Sequence, residues 1–321
     1  MLVYILLLAG FVLLIKGADY FIDGSSGIAS RFNVSPLIVG LTIVAFGTGA
    51  PEATVSIIAA LEESADLTIG NVVGSNILNI SLVVGVTAFI FPLKVTSSTV
   101  RKEIPFTFLS SVALIVLISD VVLQDAAVNV ITRSDGLIFL LFFSIFMYYI
   151  FEAARKSRDK IVEDSVPKNE TNGAWGKLLL LTAGGLGGIV LGGYLVVETS
   201  TSIAYRFGMS ETLAGLTIVA IGSSLPELVT SVAAALKKQS EIAIGNIVGS
   251  SIFNILFVLG IASVITPLPV DSKIFLDAAV MTLLTIVLYI FSRTQCNVGR
   301  YEGLALVGAY AVYLVYIIIR N

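Results

Sequence analysis

Residues 35–95 read SPLIVGLTIVAFGTGAPEATVSIIAALEESADLTIGNVVGSNILNISLVVGVTAFIFPLKV, and residues 210–270 read SETLAGLTIVAIGSSLPELVTSVAAALKKQSEIAIGNIVGSSIFNILFVLGIASVITPLPV. At an offset of 175 residues the two stretches align without a gap and agree at about half of their positions, far more than unrelated apolar helices would. The same offset continues upstream, setting Asp23 over Glu198, Arg31 over Arg206 and Phe32 over Phe207. The chain is therefore an internal duplication.

The solvent of this duplication is lipid. Of 321 residues 56% are hydrophobic and 13% charged, with a mean hydropathy of +0.98, well outside the range of soluble domains. At about 20 apolar residues per membrane crossing, the sequence predicts ten helices at roughly 2–22, 36–61, 68–91, 104–122, 134–152, 177–197, 212–236, 242–266, 274–292 and 301–319. The polar stretch from Glu152 to Asn172 separates the halves. The expected division is a first five-helix repeat over 1–152, a linker over 153–176 too short to be a folded domain, and a second five-helix repeat over 177–321.

An odd number of helices per half inserts the second half upside down relative to the first. The expected fold is thus an all-α membrane protein of two inverted-topology five-helix repeats, with helices 2 and 7 discontinuous. Placing both termini outside puts Lys94, Arg101, Lys102, the linker cations, Lys237, Lys238, Arg293 and Arg300 on the inside. Arg133, Arg206, Lys273 and Arg320 then remain outside, so the positive-inside rule favours extracellular termini and a cytoplasmic linker. The apolar start, 2–15, has no basic region before it or small-residue cleavage site after it and reads as a retained helix.

Composition also excludes. A net charge of −3 and the lack of a basic run with interleaved aromatics argue against nucleic acid. With one cysteine, Cys296, and no histidine, disulfide frameworks, Cys/His metal clusters, Ser-His-Asp hydrolysis and histidine proton relays are ruled out. No nucleophile–base pair for an intramembrane enzyme stands out and no cofactor is expected; any proton or cation chemistry falls to carboxylates.

Two carboxylates stand where they are costly. The second helix is interrupted by Gly47-Thr48-Gly49-Ala50-Pro51-Glu52 and the seventh by Gly222-Ser223-Ser224-Leu225-Pro226-Glu227. Each proline lacks an N–H and deprives the carbonyl four residues earlier of its helical partner. Exposed carbonyls at this depth need protein, water or an ion, and half-helix C-terminal ends suit a cation. An unpaired carboxylate there costs at least a few kcal/mol. A plain Pro-kinked helix with a protonated, backbone-bonded glutamate would explain one such site; its repetition at Glu52 and Glu227 argues for function.

The third and eighth helices carry Gly70-Asn71-Val72-Val73-Gly74-Ser75-Asn76-Ile77-Leu78-Asn79 and Gly245-Asn246-Ile247-Val248-Gly249-Ser250-Ser251-Ile252-Phe253-Asn254. Every fourth residue aligns Asn71, Ser75 and Asn79 on one face, and Asn246, Ser250 and Asn254 on the other copy. Gly70 and Gly74 predict a small-residue edge for close helix approach. Such stripes can also simply glue helices together. Folded about a pseudo-twofold axis, the breaks and stripes would form an oxygen-only cage in which two carboxylates neutralise a divalent ion, with Ca²⁺ fitting better than Mg²⁺. When the ion leaves, the paired carboxylates repel and demand monovalent ions or protons.

At these residues the sequence resembles the calcium/cation antiporter superfamily, in particular its sodium/calcium exchangers, whose two repeats carry Gly-Thr-Ser-x-Pro-Glu and Gly-Asn-x-x-Gly-Ser-Asn patterns. The resemblance implies exchange of Na⁺ for Ca²⁺ by alternating access. By match it implies Glu52 and Glu227 as shared ligands, the carbonyls of Thr48 and Ser223 as further Ca²⁺ ligands, and those of Ala45 and Ala220 as Na⁺ ligands. Ser75 and Ser250 match flanking sodium ligands, and Asn79 and Asn254 the central amide positions; Asn254 argues against potassium dependence. Gly49, with its counterpart Ser224, completes the candidate set. The sequence departs from the pattern in having Gly49 for serine, Ser223 for threonine and Ser251 for asparagine.

The resemblance further implies a plasma-membrane protein that functions as a monomer, with helices 1 and 6 as a sliding gate. The linker has no room for a calcium-sensing domain. A proton-coupled calcium exchanger is the nearest alternative, although that family usually has glutamate within the third and eighth helices. A passive cation channel is more distant, since no fourfold or pore-loop repeat is present.

Overall fold

The computed structural model describes residues 2–163, 175–206, 220–294 and 296–320, and they are almost entirely helical. Helix α1 spans Leu2–Phe32. A helical segment over Pro36–Thr48, α2, bends by 49° into α3, Ala50–Leu61. Then follow α4 (Ala65–Ile90), α5 (Ile104–Leu117), α6 (Arg133–Glu163), α7 (Trp175–Arg206), α8 (Leu225–Leu236), α9 (Ser240–Ile265), α10 (Ser272–Arg293) and α11 (Arg300–Arg320). Among the described residues, seven helices are long and apolar enough to cross a membrane, or eight with α2 and α3 as one bent span. Helix α8 is a shorter apolar helix, and α5 is preceded by a π turn over Thr99–Glu103 that carries Arg101, Lys102 and Glu103.

Several expected boundaries move. Helix α1 runs ten residues beyond 22, since Gly24 and Gly27 continue the helix where they pack on α7. The segment expected over 104–122 ends at Leu117 and is followed by a separate turn, Asp120–Gln124, closed by Asp125 in the left-handed region at φ 53°. The polar stretch after 152 continues as α6 to Glu163, because Ala153, Ala154 and the Arg/Lys residues after them are good helix formers. The rest of the linker, 164–174, and the first part of the segment expected over 212–236 lie outside the described residues.

Burial sorts the helices. In their most apolar stretches α4 and α9, the duplicated motif helices, are 72% and 83% buried, whereas α1 and α7 are 22% and 28% buried. The repeats' motif helices therefore form the centre and α1 and α7 an outer pair. Helix α9 meets α2 at backbone contact: a Cβ on Gly245 would lie 2.7 Å from the Leu37 carbonyl and 3.0 Å from the Gly40 Cα. The expected small-residue edge is thus present in the second copy. Gly70 and Gly74 meet nothing within 4 Å among the described residues, and most of the counterpart of α2, 211–219, is outside them. Helices α1 and α7 pack in the same close manner, a Cβ on Gly17 falling 2.7 Å from the Ile189 amide nitrogen.

Two short ladders cross between the halves. Strand β1 (Leu93–Lys94) pairs antiparallel with β4 (Asn297–Val298), and β2 (Val130–Ile131) with β3 (Leu268–Pro269). Because β1 and β3 are duplicates, the same loop in each copy is tied to the other half.

An ion pair fixes the last helix. The Arg320 guanidinium donates from both terminal nitrogens to Asp277 on α10, at 2.9 and 3.0 Å, and the Asp277 side chain is 7% exposed. Losing one partner strands a largely buried charge. Arg320→Met is expected to destabilise the protein by about 2 kcal/mol, and adding Asp277→Asn to recover most of that loss. Thermal unfolding of both variants in detergent checks this; equal stability of the single variant and the parent would show that the pair contributes nothing.

Candidate cation site between the two halves

Both interruptions adopt the same backbone. Gly49 has φ −77° and ψ −2°, and Ser224 has φ −94° and ψ 9°; Pro51 and Pro226 follow in the first turn of α3 and α8. Hydrogen bonding resumes immediately, with the Ala53 amide donating to the Gly49 carbonyl at 3.0 Å and Leu228 to Ser224 at 3.1 Å. Each half-helix thus opens with its acid in the first turn, Glu52 or Glu227.

The two acids come together. The Glu52 carboxyl faces Ser224 and the Glu227 carboxyl, while Glu227 also faces Thr48. Glu52 is 1% and Glu227 0% exposed, and among the described residues none of their four carboxylate oxygens has a well-formed hydrogen bond. No Lys or Arg pairs with either among the described residues. Nor is there a cluster of three or more His, Cys, Asp or Glu among them, so the further ligands those residues offer are neutral oxygens.

Those oxygens surround the acids. On α4 the Asn71 amide donates to the Glu52 carbonyl at 3.2 Å and to Ser56 Oγ at 2.9 Å. On α9 Asn246 repeats this with the Glu227 carbonyl at 3.4 Å and Ser231 Oγ at 3.0 Å. Asn246 also accepts from Thr48 Oγ1 at 3.0 Å, joining the second copy's stripe to the first copy's break. The lower stripe crosses too: the Asn254 amide donates to Ser75 Oγ at 3.2 Å, and Ser250 Oγ donates to the Ala45 carbonyl at 3.4 Å. The Asn76 amide donates to the Ser251 carbonyl at 3.3 Å.

Asn79 opens a π turn over Asn79–Val83, and Asn254 lies in one over Phe253–Val258; such turns shift side-chain direction within a helix and recur at functional sites. Among the described residues both polar atoms of Asn79, Asn254 Oδ1 and Ser224 Oγ are buried without a well-formed hydrogen bond. Buried oxygens without partners and two facing carboxyls are the kind of ligand set a hard cation takes, which makes this the candidate site.

Of the expected residues, Glu52, Glu227, Thr48, Ser224, Ser75, Ser250, Asn79 and Asn254 are buried at the interface of the two copies. Ala45 and Gly49 lie on the α2 side of the break. A Cβ on Gly49 would lie 2.9 Å from the Ala45 carbonyl and 3.4 Å from the Phe253 ring, so the missing serine leaves a filled corner. Ser223 is half-buried in the short helical piece Ala220–Ser223, which begins with Ala220. The candidate set omits Ser56 and Ser231, four residues after each glutamate, although both copies have serine there; they hold the asparagines in place. It also omits Thr230, buried one turn after Glu227 without a partner among the described residues, whose counterpart Val55 offers no repeat signal.

Comparison with known proteins places the chain in a family. The sodium/calcium exchanger protein family matches residues 2–152 and 177–319. Among curated relatives, a putative antiporter CaxA of Alkalimonas amylolytica is 39% identical over 316 residues, covering 96% of each chain. The sodium/calcium exchanger MaX1 of Methanosarcina acetivorans is 32% identical over 346 residues, covering 97% of each. Among solved structures, the sodium-calcium exchanger NCX_Mj superposes with a TM-score of 0.82 at 30% identity, covering 98% of this chain and 99% of that one. These relatives and neighbours are transporters, and the protein is a multi-pass membrane protein and not an enzyme. Match, relatives and fold agree that the chain belongs to the sodium/calcium exchanger family.

Proposed function

We propose that this cation antiporter exchanges Na⁺ for Ca²⁺ across the plasma membrane by alternating access to the Glu52/Glu227 site. The observation that carries the reading is that one buried carboxyl from each copy faces the other, with no basic side chain beside them among the described residues. Ca²⁺ supplies the two positive charges, and the carbonyls of Thr48 and Ser223 add neutral ligands. When Ca²⁺ leaves, Na⁺ ions take its place: at the glutamates, at the Ala45 and Ala220 carbonyls with Ser250 or Ser75, and beside Asn79, Asn254, Gly49 and Ser224.

Ten helices in two inverted repeats account for this arrangement. They put both termini outside and the linker in the cytoplasm, and a site lined by both halves of one chain makes a monomer sufficient. Alternating access then follows from displacement of the outer pair, α1 and α7, against the buried helices.

Coupling to Na⁺ is favoured over H⁺ because the stripes flanking the acids are amides and hydroxyls, which ligate Na⁺ without titrating. In proteoliposomes, an outward-directed Na⁺ gradient is expected to drive ⁴⁵Ca²⁺ uptake at least about tenfold faster than an equal proton gradient. Uptake driven equally well by protons would overturn the coupling. Uptake indifferent to any counter-ion would overturn the antiport.

A further inference from the structure

The outer pair is fastened to the rest of the bundle at one end. Lys237, in the turn after α8, holds Nζ 2.8 Å from Asp23 Oδ1 and 3.6 Å from Asp19 Oδ1 on α1, and donates to the Asp19 carbonyl at 2.7 Å. Two residues on, Gln239 Oε1 accepts from Ser26 Oγ at 2.5 Å. These contacts tie one turn of the core to two successive turns of α1.

The duplication supplies an internal control. The turn after α3 has the same backbone: Glu63 and Lys238 are both left-handed, at φ 59° and 61°. The amide of Glu62 donates to Ile58 as that of Lys237 does to Ala233, and Ser64 donates to Ala59 as Gln239 does to Ala234. The side chains differ, and so does the packing around them, since α1 lies against α8 whereas α7 makes little contact with α3. Glu62 stands for Lys237 and Ser64 for Gln239, while on α7 Glu198 stands for Asp23 and Thr201 for Ser26. Among the described residues Glu62 and Glu198 are exposed acids with no ion pair and Thr201 Oγ1 is buried without a partner. One end of the bundle has a lysine beside two aspartates; the aligned positions of its duplicate hold acids, Glu62 and Glu198.

We propose that Lys237 is a positioning residue of the transport cycle: it latches α1 to the α8 turn and so biases the site toward opening at the opposite end, beside Glu62 and Glu198. This rests on the alternating-access reading above. Any displacement of α1 that opens the Lys237 end must break the Lys237–Asp23 pair and the Ser26–Gln239 bond, whereas opening the Glu62 end breaks neither. Lysines at 237 and 238 put the latched end on the cytoplasmic side by the positive-inside rule, so the favoured opening is outward.

The latch is part-exposed, so its bias is modest. The apparent affinity at each face scales with the fraction of molecules open to that face. Apparent Ca²⁺ affinity is measured on each face separately, in right-side-out and inverted vesicles. K237E is expected to weaken it on the Glu62 face and tighten it on the Lys237 face, moving their ratio roughly three- to tenfold. D23K combined with K237E restores the pair and the parent ratio. A K237E protein whose ratio is unchanged, or that loses activity equally on both faces, overturns the latch while counter-ion-driven uptake by the parent leaves the antiport standing.

If K237E fails to reach the membrane, E62K provides the same test with opposite sign, since it places a lysine at the duplicate turn where Glu198 is the counterpart of Asp23. A ratio that does not move there also overturns the proposal. A parent protein without counter-ion-dependent uptake would instead refute the transport reading.

Discussion

Glu52→Gln and Glu227→Gln are each expected to lower counter-ion-driven ⁴⁵Ca²⁺ uptake into proteoliposomes at least about a hundredfold, with the folded protein otherwise intact. Burial sets the size of this effect. At a site this desolvated, removing one of two charges facing a divalent ion leaves a net positive charge in low dielectric, and truncating one partner of such a pair costs about 3–5 kcal/mol. At about 1.4 kcal/mol per decade this is between two and four orders of magnitude. The amide keeps the volume, and the Asn71 and Asn246 bonds to the glutamate carbonyls are untouched, so the loss reports on charge.

The double variant is expected to lose little more than either single one, because the two carboxyls act on one ion. Uptake by Glu52→Gln within about threefold of the parent would fall far short of that charge penalty and remove Glu52 from the site.

The second large effect is structural. Gly245→Val is expected to destabilise the protein by more than about 3 kcal/mol, beyond the usual cost of overpacking, and to lower its unfolding temperature by roughly 6–12 °C. The obstacle is backbone on the facing helix, the Leu37 carbonyl at 2.7 Å and the Gly40 Cα at 3.0 Å, neither of which can rotate away. Separating α9 from α2 would also pull Asn246 from Thr48 and Ser250 from the Ala45 carbonyl, so uptake should fall with stability. Gly308→Ala serves as the comparison: it is exposed on α11 with nothing within 4 Å of the added carbon, and should stay within about 0.5 kcal/mol of the parent. Thermal unfolding of both variants in detergent decides the matter, and a Gly245→Val protein as stable as the parent would contradict the crossing described here.

Much of the site was legible because it is written twice. A lone Pro-Glu in an apolar helix reads equally well as a kink, but Pro51-Glu52 and Pro226-Glu227 at one offset do not, and the stripes beginning at Asn71 and Asn246 carry the same redundancy. Where one copy departed, the signal weakened: Thr230 has valine as its counterpart and went unnoticed. Ser56 and Ser231 are duplicated, yet a serine on a membrane helix usually bonds its own backbone, so their hold on the asparagines shows only once the helices are packed. Helix ends were less legible than centres, since apolar length says where a helix can lie in lipid and not how far it continues beyond, as with α1 to Phe32 and α6 to Glu163.

By itself the sequence determined the membrane environment, the duplication, the two breaks and the acids that follow them, because each of these is a local or periodic property of the chain. Only the tertiary structure decided that Asn246 reaches Thr48 across the copies, that Asn254 reaches Ser75, and that Lys237 engages Asp23 while its duplicate Glu62 engages nothing described. The physical reason is distance along the chain: contacts between residues 179 to 214 positions apart depend on how closely two helix backbones approach. That approach is set by glycines such as Gly40 and Gly245, whose partners are not written in their own segments.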